Sequence, residues 1–452
     1  MSEFFIELFS EEIPANLQNK TRQDFFQNLK EFLEKEDIKY SGEATAFSIP
    51  NRLIVYFQNI SKKITKKENE IRGPNINAPE DALNGFLKSY KISIDKTYKK
   101  KTDKGEFYFL KKPSESIETK FVLQKNLPKI LDKTSWKKSM RWADHELYWG
   151  RPLKSILCCF DNKTLEFEYH HLVSSNITFI DKDFEQKTKK FVRFKDYLAF
   201  FKSQNIILDN KKREQFIVDQ LNRIAKKENL KIHFNSTLLN EVTNIVEKPN
   251  IIKCRFNKRF LEIPDDILVT TMQVHQKYFP TFDSRDNLTN NFFLVADNKD
   301  SKGLIKIGNE NVVEARLNDA KFFWDKNKTQ NLVKGISNLK KLSYFEGLGS
   351  YFEKIQRLRK LGALISDELL ISKEKVEIAS SICKVDLTSD LVNEFPELQG
   401  VMGGHFAKSQ GFDNDICLAI REHYLPTGPE TKTPKKPYSV TLAISDKLDT
   451  LS

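Results

Sequence analysis

Three stretches of the sequence combine residue types that could do chemistry. The first, the Trp-rich segment (residues 136–151), interleaves basic side chains with aromatic rings. Its candidate RNA-contacting residues are Lys137, Lys138, Arg141, Trp142, Trp149 and Arg151. Cations neutralise phosphates and aromatic faces stack on unpaired bases, so this composition suits unpaired nucleic acid. Tryptophan is also a common core residue and arginine over indole a common structural pair, so packing and RNA contact both stay open.

The second stretch, residues 270–280 (TTMQVHQKYFP), places His275, Lys277 and Tyr278 close together before a proline. Neither a second histidine nor a carboxylate accompanies His275 at a metal-ligand spacing. The pattern therefore favours a packed or exposed helix end over a metal site.

The third stretch lies near the C-terminus and contains Asp386, His423 and Asp446. A phosphohydrolase of the HD type holds its metal with a histidine, an adjacent His-Asp pair and a distant aspartate, which form a ring of N and O ligands. Here the pair is Val385-Asp386, and a valine cannot coordinate a metal. The layout predicts a degenerate HD-like scaffold that binds no metal.

The usual catalytic signatures are missing from the sequence, including the phosphate-binding GxxxxGK[ST] and GxGxxG loops, the GxSxG elbow and HExxH. The sequence therefore offers no recognisable catalytic motif and no nucleotide-binding fingerprint of its own.

The elements that must position these residues follow from hydrophobic periodicity. The pattern predicts a strand over 3–9, a helix from Pro14 through Leu33, strands over 44–48 and 53–57, a connection over 61–72, a helix over 79–90 and a hairpin over 99–113. Helical spacing continues almost throughout from residue 329. The predicted class is α+β and multidomain, with mixed α/β modules followed by an all-helical domain. We place the modules at residues 1–65, 66–182, 183–328 and 329–452.

Length and composition agree with a folded multidomain protein. The chain has 452 residues, of which 39% are hydrophobic and 35 are Phe. Its formal charge is +12, which raises the prior for nucleic acid, although 59 of the 74 basic residues are lysines rather than the arginines that clamp phosphates. The acidic start (MSEFFIELFSEEIP) and the absence of a long apolar run exclude a signal peptide and a membrane span. We expect a cytoplasmic protein.

Several longer motifs carry a resemblance to a known family. They are FIELFSEEIPA, SMRWADHELYWGRPL, LEIPDDILVTTMQVHQKYFP, EARLNDAKFFWDKN, VNEFPELQGVMGGHFA and REHYLP followed by SDKLDTL. In order and spacing the chain resembles the beta subunits of the bacterial tetrameric glycine–tRNA ligases over essentially its whole length.

The resemblance implies a heterotetramer of two alpha and two beta chains that attaches glycine to tRNA(Gly). The alpha subunit would perform the chemistry and use ATP and Mg, while this chain would bind tRNA and no cofactor of its own. Members of the family continue into an anticodon-binding domain, so we expect no anticodon recognition by these residues. The resemblance also supports reading Asp386, His423 and Asp446 as remnants of an HD-like metal set.

Two alternatives stay open at this stage. An HD-type metal-dependent phosphohydrolase would need its missing histidine from elsewhere in the chain. A stand-alone RNA-binding protein would bind RNA without supporting aminoacylation.

Overall fold

The computed structural model describes residues 2–66, 69–112, 115–181, 187–429 and 431–452. The chain forms two compact units. The N-terminal unit comprises Met1–Gln215 and Asn240–Lys248, and the C-terminal unit comprises Phe216–Leu239 and Pro249–Ser452. The predicted α+β class with a helical C-terminal part is confirmed. The finer division into four modules stays a prediction.

The N-terminal unit contains most of the strands. They are β1 (Phe4–Ser10), β2 (Ala44–Ile49), β3 (Arg52–Phe57), β4 (Lys63–Lys66), β5 (Asn69–Asn75), β6 (Thr97–Thr102), β7 (Gly105–Lys112), β8 (Glu115–Glu118), β9 (Leu153–Phe160), β10 (Lys163–Thr164), β11 (Glu168–Tyr169), β12 (Leu172–Val173), β13 (Ile177–Phe179) and β14 (Thr188–Lys190). Its helices are α1 (Ala15–Lys35), α2 (Glu80–Tyr90), α3 (Thr119–Asp132) and α4 (Phe194–Ser203). The boundary between the units falls within α5 (Asn210–Lys227) and α6 (Ser236–Ile245).

An antiparallel sheet in the order β10-β9-β1-β3-β2 forms the centre of this unit. All seven residues of β1 are buried because both faces of the strand are covered. Phe4, Ile6 and Leu8 share a core with α1, whereas Phe5 shares a second core with α4. A strand buried on both faces becomes apolar at nearly every position, which is why FFIELF shows no alternation.

Glu7 and Arg52 form a buried ion pair between β1 and β3 of this sheet. Arg52 Nη1 lies 2.9 Å from Glu7 Oε2. The guanidinium also lies over the Phe9 ring, with 4.5 Å between Cζ and the ring centroid. Burial acts to lower the pKa of Arg52, but Glu7 and the other acidic groups nearby raise it overall.

Beyond the sheet, the structure confirms the hairpin predicted over 99–113 as β6 and β7. The prediction of a connection over 61–72 is wrong, because β4 pairs with β8 and β5 with β7. The pairing partners lie 37 to 55 residues away in the sequence, so the polar stretch acquires its structure from tertiary contacts rather than from its own pattern.

The C-terminal unit is mainly helical. Its helices are α7 (Asp265–Thr270), α8 (Leu304–Asn327), α9 (Leu332–Gly335), α10 (Tyr351–Glu368), α11 (Lys373–Ile382), α12 (Asp390–Glu394), α13 (Val401–Ser409), α14 (Asn414–Glu422) and α15 (Pro437–Leu451). Its strands are β15 (Asn250–Arg255), β16 (Phe279–Phe282), β17 (Leu288–Ala296), β18 (Ser343–Phe345) and β19 (Gly349–Ser350). One core joins the β15-β17-β16 sheet to the helices.

The sequence predicted an all-helical region after residue 329, and the structure is mainly but not entirely helical there. The short hairpin β18-β19 interrupts it, with Gly347 and Gly349 at positive φ in the turn. α10 begins directly afterwards, where Ser350 and Glu353 form a reciprocal capping box. Within the described ranges, none of the helices combines the length and apolarity that crossing a bilayer requires.

Candidate functional site

The Trp-rich segment lies between the end of α3 and the start of β9. A two-way backbone pairing of Met140 with Trp149, with N···O distances of 2.8 and 3.1 Å, closes it into a loop. Trp149 is buried in the core under β1 and α1, and Trp136 packs edge-on against it with 5.2 Å between ring centroids. Gly150 makes this possible, because a Cβ there would lie 2.1 Å from the Trp136 ring. The segment is therefore anchored by its tryptophans.

The basic residues of the segment lie on the outside. Lys137, Lys138 and Arg141 are exposed, whereas Arg151 is half-buried and its Nη1 donates to the Gly150 carbonyl at 2.8 Å. Within the ranges that the structure describes, neither guanidinium lies over an indole, so the stacking of arginine on tryptophan that we considered is not found.

Trp142 contributes to a small aromatic group beside these cations. It is half-buried and packs edge-on against His145 and His171, whose rings stack on each other at 3.6 Å. Burial, and then the neighbouring His145, lowers the pKa of His171, which favours the neutral form of the His171 imidazole.

These positions divide the six candidates into two groups. Trp149 is buried and its ring cannot meet a base, so packing is favoured there over RNA contact. Lys137, Lys138, Arg141, Trp142 and Arg151 keep at least part of their surface accessible. Their role in RNA binding stays a prediction.

The helix predicted over 270–280 is wrong at its end. α7 continues into one π-helical turn that ends at His275, and Phe279 begins β16. His275 packs edge-on against Phe395, and its Nε2 lies 3.7 Å from Glu397 Oε2. This arrangement agrees with a packed helix end.

The C-terminal unit gathers Asp386, His423 and Asp446 in one buried cluster, and their reading as remnants of an HD-like site stays a prediction. Asp386 accepts hydrogen bonds from the backbone N–H groups of Gly400 at 2.5 Å and Gly403 at 3.1 Å. These N–H groups belong to the first turn of α13, so Asp386 caps that helix. Its other oxygen, Oδ1, is buried without a hydrogen-bond partner among the described residues. Burial raises the pKa of Asp386 to about 6.

His423 lies against the other side of Gly400. Gly400 has a φ of +80°, and a Cβ there would lie 2.8 Å from Tyr424 Cδ2 and 3.1 Å from His423 Cε1, so a larger residue would be strained at this position. His423 Nδ1 donates to the Ile420 carbonyl, which leaves Nε2 as a buried acceptor with no partner among the described residues. Burial, followed by the charge of Lys384, lowers the pKa of His423 to about 3, so the imidazole is neutral.

Two buried lysines neutralise the aspartates of this cluster. Lys384 Nζ lies 2.9 Å from Asp446 Oδ1, and Lys354 Nζ lies 3.3 Å from the same oxygen and 2.9 Å from Asp449 Oδ2. Lys384 Nζ also lies 3.8 Å from the Tyr424 ring centroid. Burial acts to raise the pKa of Asp446, but the positive charges of Lys384 and Lys354 lower it overall.

Val385 stands where an active HD-type site would need a histidine. It is buried with Cγ1 against Gly335, where an added Cβ would meet it at 2.6 Å, and it lines a cavity of about 510 Å³. Across the described residues, no group of three or more His, Cys, Asp or Glu side chains is arranged to hold a metal ion. The absence of a bound metal stays a prediction.

Asp386 and His423 have opposite effects on how stability depends on pH. The folded Asp386 keeps its proton up to about pH 6, whereas the unfolded carboxyl, with a pKa of 3.8, loses it earlier, so stability is lost as the pH rises across this window. His423 binds its proton only below about pH 3 when folded but at 6.5 when unfolded, so stability is lost as the pH falls below 6.5.

Two variants should separate these effects. We expect His423→Asn to flatten the acid-induced loss of stability and Asp386→Asn to steepen it. Urea unfolding midpoints measured between about pH 4 and about pH 7 will check this. Parallel pH profiles for both variants and the original protein would contradict the assignment.

A third cluster was not found from the sequence. His405 Nε2 lies 2.8 Å from Asp266 Oδ2, and Arg421 Nη2 donates to Asp266 Oδ1 at 2.9 Å. The three side chains come from α13, α7 and α14. Each of them belongs to one of the family motifs quoted above. Their presence in three such motifs was the only sequence feature that could have singled them out. Burial acts to raise the pKa of Asp266, but the hydrogen bond with His405 and the charge of Arg421 lower it overall.

Comparison with known proteins agrees with the resemblance. The family model described as glycyl-tRNA synthetase beta subunit matches residues 4–452. Proteins named glycine–tRNA ligase beta subunit from Rickettsia felis and Rickettsia prowazekii are 34% and 35% identical to the chain, which is covered completely in both cases. The chain spans 67% of the length of each.

These matches define the class as a subunit of an aminoacyl-tRNA synthetase. The chain belongs to the glycyl-tRNA synthetase beta subunit family. Neither alternative left open by the sequence, the HD-type phosphohydrolase or the stand-alone RNA-binding protein, is supported by the matches.

Proposed function

We propose that this chain acts as the beta subunit of a glycine–tRNA ligase, in an α2β2 tetramer that attaches glycine to tRNA(Gly). The match to the family over residues 4–452 carries the proposal. The alpha subunit would hold glycine and ATP with Mg, and this chain would bind the tRNA. The absence of a phosphate-binding loop motif from the sequence supports that division of labour.

The exposed cations of the Trp-rich segment support tRNA contact. Lys137, Lys138 and Arg141 are held outward by a loop whose tryptophans are fixed in the core. A rigid platform that presents cations beside a half-buried aromatic ring is suited to phosphates next to an unpaired base.

We also infer that the helical unit is HD-like and has lost its metal function. Asp386 caps a helix, His423 presents an unprotonated Nε2, and Lys384 lies on the Asp446 carboxylate. An ammonium on that carboxylate supplies the positive charge that a divalent cation would otherwise bring.

Reconstitution tests the proposed function. The purified chain mixed with an alpha subunit of the same family should charge tRNA(Gly) with glycine, whereas the chain alone should not catalyse glycine-dependent pyrophosphate exchange. Exchange by the chain alone would place the chemistry on this polypeptide and overturn the proposal. Charging by the alpha subunit that does not change when this chain is added would also overturn it.

Arg141→Lys is expected to reduce the kcat/KM for charging by about fivefold, because lysine lacks the planar fork that binds a phosphate through two hydrogen bonds. The melting temperature should not change, since Arg141 is exposed. The matched control Lys137→Ala should cost less than about twofold, as expected for one mobile surface charge.

The affinity for tRNA should also fall steeply between about 50 and about 200 mM salt, because binding releases counterions. A salt-independent affinity, or equal effects of the Arg141 and Lys137 changes, would argue against this surface.

A further inference from the structure

Helix α15 buries Leu442 and Ala443 in the core, but it also buries charged side chains and exposes apolar ones. Asp446 and Asp449 point into the unit and are buried, and Lys447 is half-buried with Nζ donating to the Leu425 carbonyl at 2.9 Å. The last three turns instead expose uncharged residues, which are Ile444, Leu448, Thr450 and Leu451. Ile444, Leu448 and Leu451 are 41%, 45% and 85% exposed and lie at i, i+4 and i+7, on one side of the helix.

The β18-β19 hairpin lies beside α15 and exposes two further apolar side chains. Phe345 is 67% exposed and Leu348 is 52% exposed. The hairpin is tied to α15 at two points. Tyr344 Oη lies 3.3 Å from Thr450 Oγ1, and Arg357 bonds both to Asp449 and, at 3.5 Å, to the Leu348 carbonyl. We call the five residues Phe345, Ile444, Leu448, Leu451 and Leu348 the α15 face.

This orientation of α15 is energetically unfavourable when the helix faces water. A helix at a free surface turns its apolar side inward and its charges outward, because hydrating apolar groups and burying charges both cost free energy. Here the inward charges are held by Lys354, Lys384 and Arg357, so the orientation of α15 is fixed by ion pairs. The buried ion pairs therefore hold the α15 face outward, as expected of a surface that another segment covers.

The length of the relatives indicates which segment that is. The matched region covers the N-terminal 67% of the Rickettsia felis subunit, and α15 corresponds to the end of that region. In such a subunit, the remaining third of the chain continues directly after the helix that corresponds to α15. We propose that the α15 face is the docking surface for the C-terminal third of a glycine–tRNA ligase beta subunit, which covers it with an apolar surface of its own. The proposal rests on family membership and is independent of the role in tRNA binding.

Thiol labelling can test this directly, because all five native cysteines are buried. Leu448→Cys and Phe345→Cys place single accessible thiols on the α15 face. The matched control Val173→Cys places one in the N-terminal unit at a residue that is 64% exposed. Each variant is made in this chain and in a chimera that continues after Ser452 with the C-terminal third of the Rickettsia felis subunit. The probe is a maleimide, and circular dichroism verifies that each variant folds.

We expect the chimera to slow labelling at positions 345 and 448 by about tenfold or more, since covered sites react only after local opening. Labelling at 173 should change by less than about twofold. Equal labelling of both face positions in the chain and the chimera would overturn the proposal. Protection in the unfused chain that grows with its concentration would assign the face to a second copy, and protection by an added alpha subunit would assign it to that subunit. Either result would overturn the proposal as well, and neither depends on charging activity.

Discussion

Replacing Lys384 by methionine is expected to lower the free energy of unfolding of the C-terminal unit by about 3–5 kcal/mol. Lys384 is 1% exposed, and its ammonium lies 2.9 Å from Asp446. Methionine fills a similar volume but carries no charge, so Asp446 would stay buried with only the more distant cation of Lys354, 3.3 Å away. Urea unfolding followed by hydrogen exchange of α15 peptides will measure the loss.

An exposed ion pair gives the matched control for this change. Lys373 pairs with Asp367 at 2.7 Å, but both side chains are exposed, so Lys373→Met should cost less than about 1 kcal/mol. A second test uses the pair itself. Adding Asp446→Asn to Lys384→Met should cost less than the sum of the two single changes, because each removes the charge that the other leaves unbalanced. Near-equal losses for Lys384→Met and Lys373→Met would show that the buried network does not hold the unit together.

The parts of the fold that the sequence predicts are those in which local pattern and tertiary environment agree. The helix α1 repeats Phe25, Leu29 and Leu33 at helical spacing because one face meets the sheet. The strand β1 is apolar at almost every position because helices cover both sides. In both cases the pattern of apolar residues along one continuous segment shows which of its positions are buried.

The elements that were not predicted have no such pattern in their own sequence. β4 and β5 lie in a lysine-rich stretch whose pairing depends on β8 and β7, which are distant in the sequence. The β18-β19 hairpin lies in a stretch where Leu342, Phe345 and Leu348 mimic helical spacing, and the two glycines at positive φ decide against the helix.

The buried cluster around Asp446 was likewise only partly predictable from the sequence. The sequence brought Asp386, His423 and Asp446 together by resemblance, yet the cations that pair with the aspartates could not be predicted. Lysine is exposed in most proteins, and nothing adjacent to Lys354 or Lys384 distinguishes these two from the other lysines of the chain. The His405–Asp266 contact joins residues 139 positions apart, so it appears only in the folded chain.

Gly150→Ala is expected to lower the stability of the N-terminal unit by about 1–3 kcal/mol through overpacking. An added Cβ would lie 2.1 and 2.3 Å from two ring carbons of Trp136, which in turn packs edge-on against the buried Trp149. The indole has to move, and the loop that holds Lys137 and Arg141 outward would lose its anchor. If those cations meet tRNA, charging by the reconstituted enzyme should fall with the melting temperature.

Gly85→Ala is the matched control, since no atom lies within 4 Å of the added Cβ in the exposed helix α2. There alanine should raise the stability by about 0.5–1 kcal/mol, because glycine costs backbone entropy inside a helix. Trp136→Ala should relieve the clash, so the double variant with Gly150→Ala should lose less than the sum of the single changes. An additive double variant would mean that the ring and Gly150 do not compete for space. A stable Gly150→Ala protein with normal charging would mean that the indole shifts freely and the platform does not depend on this contact.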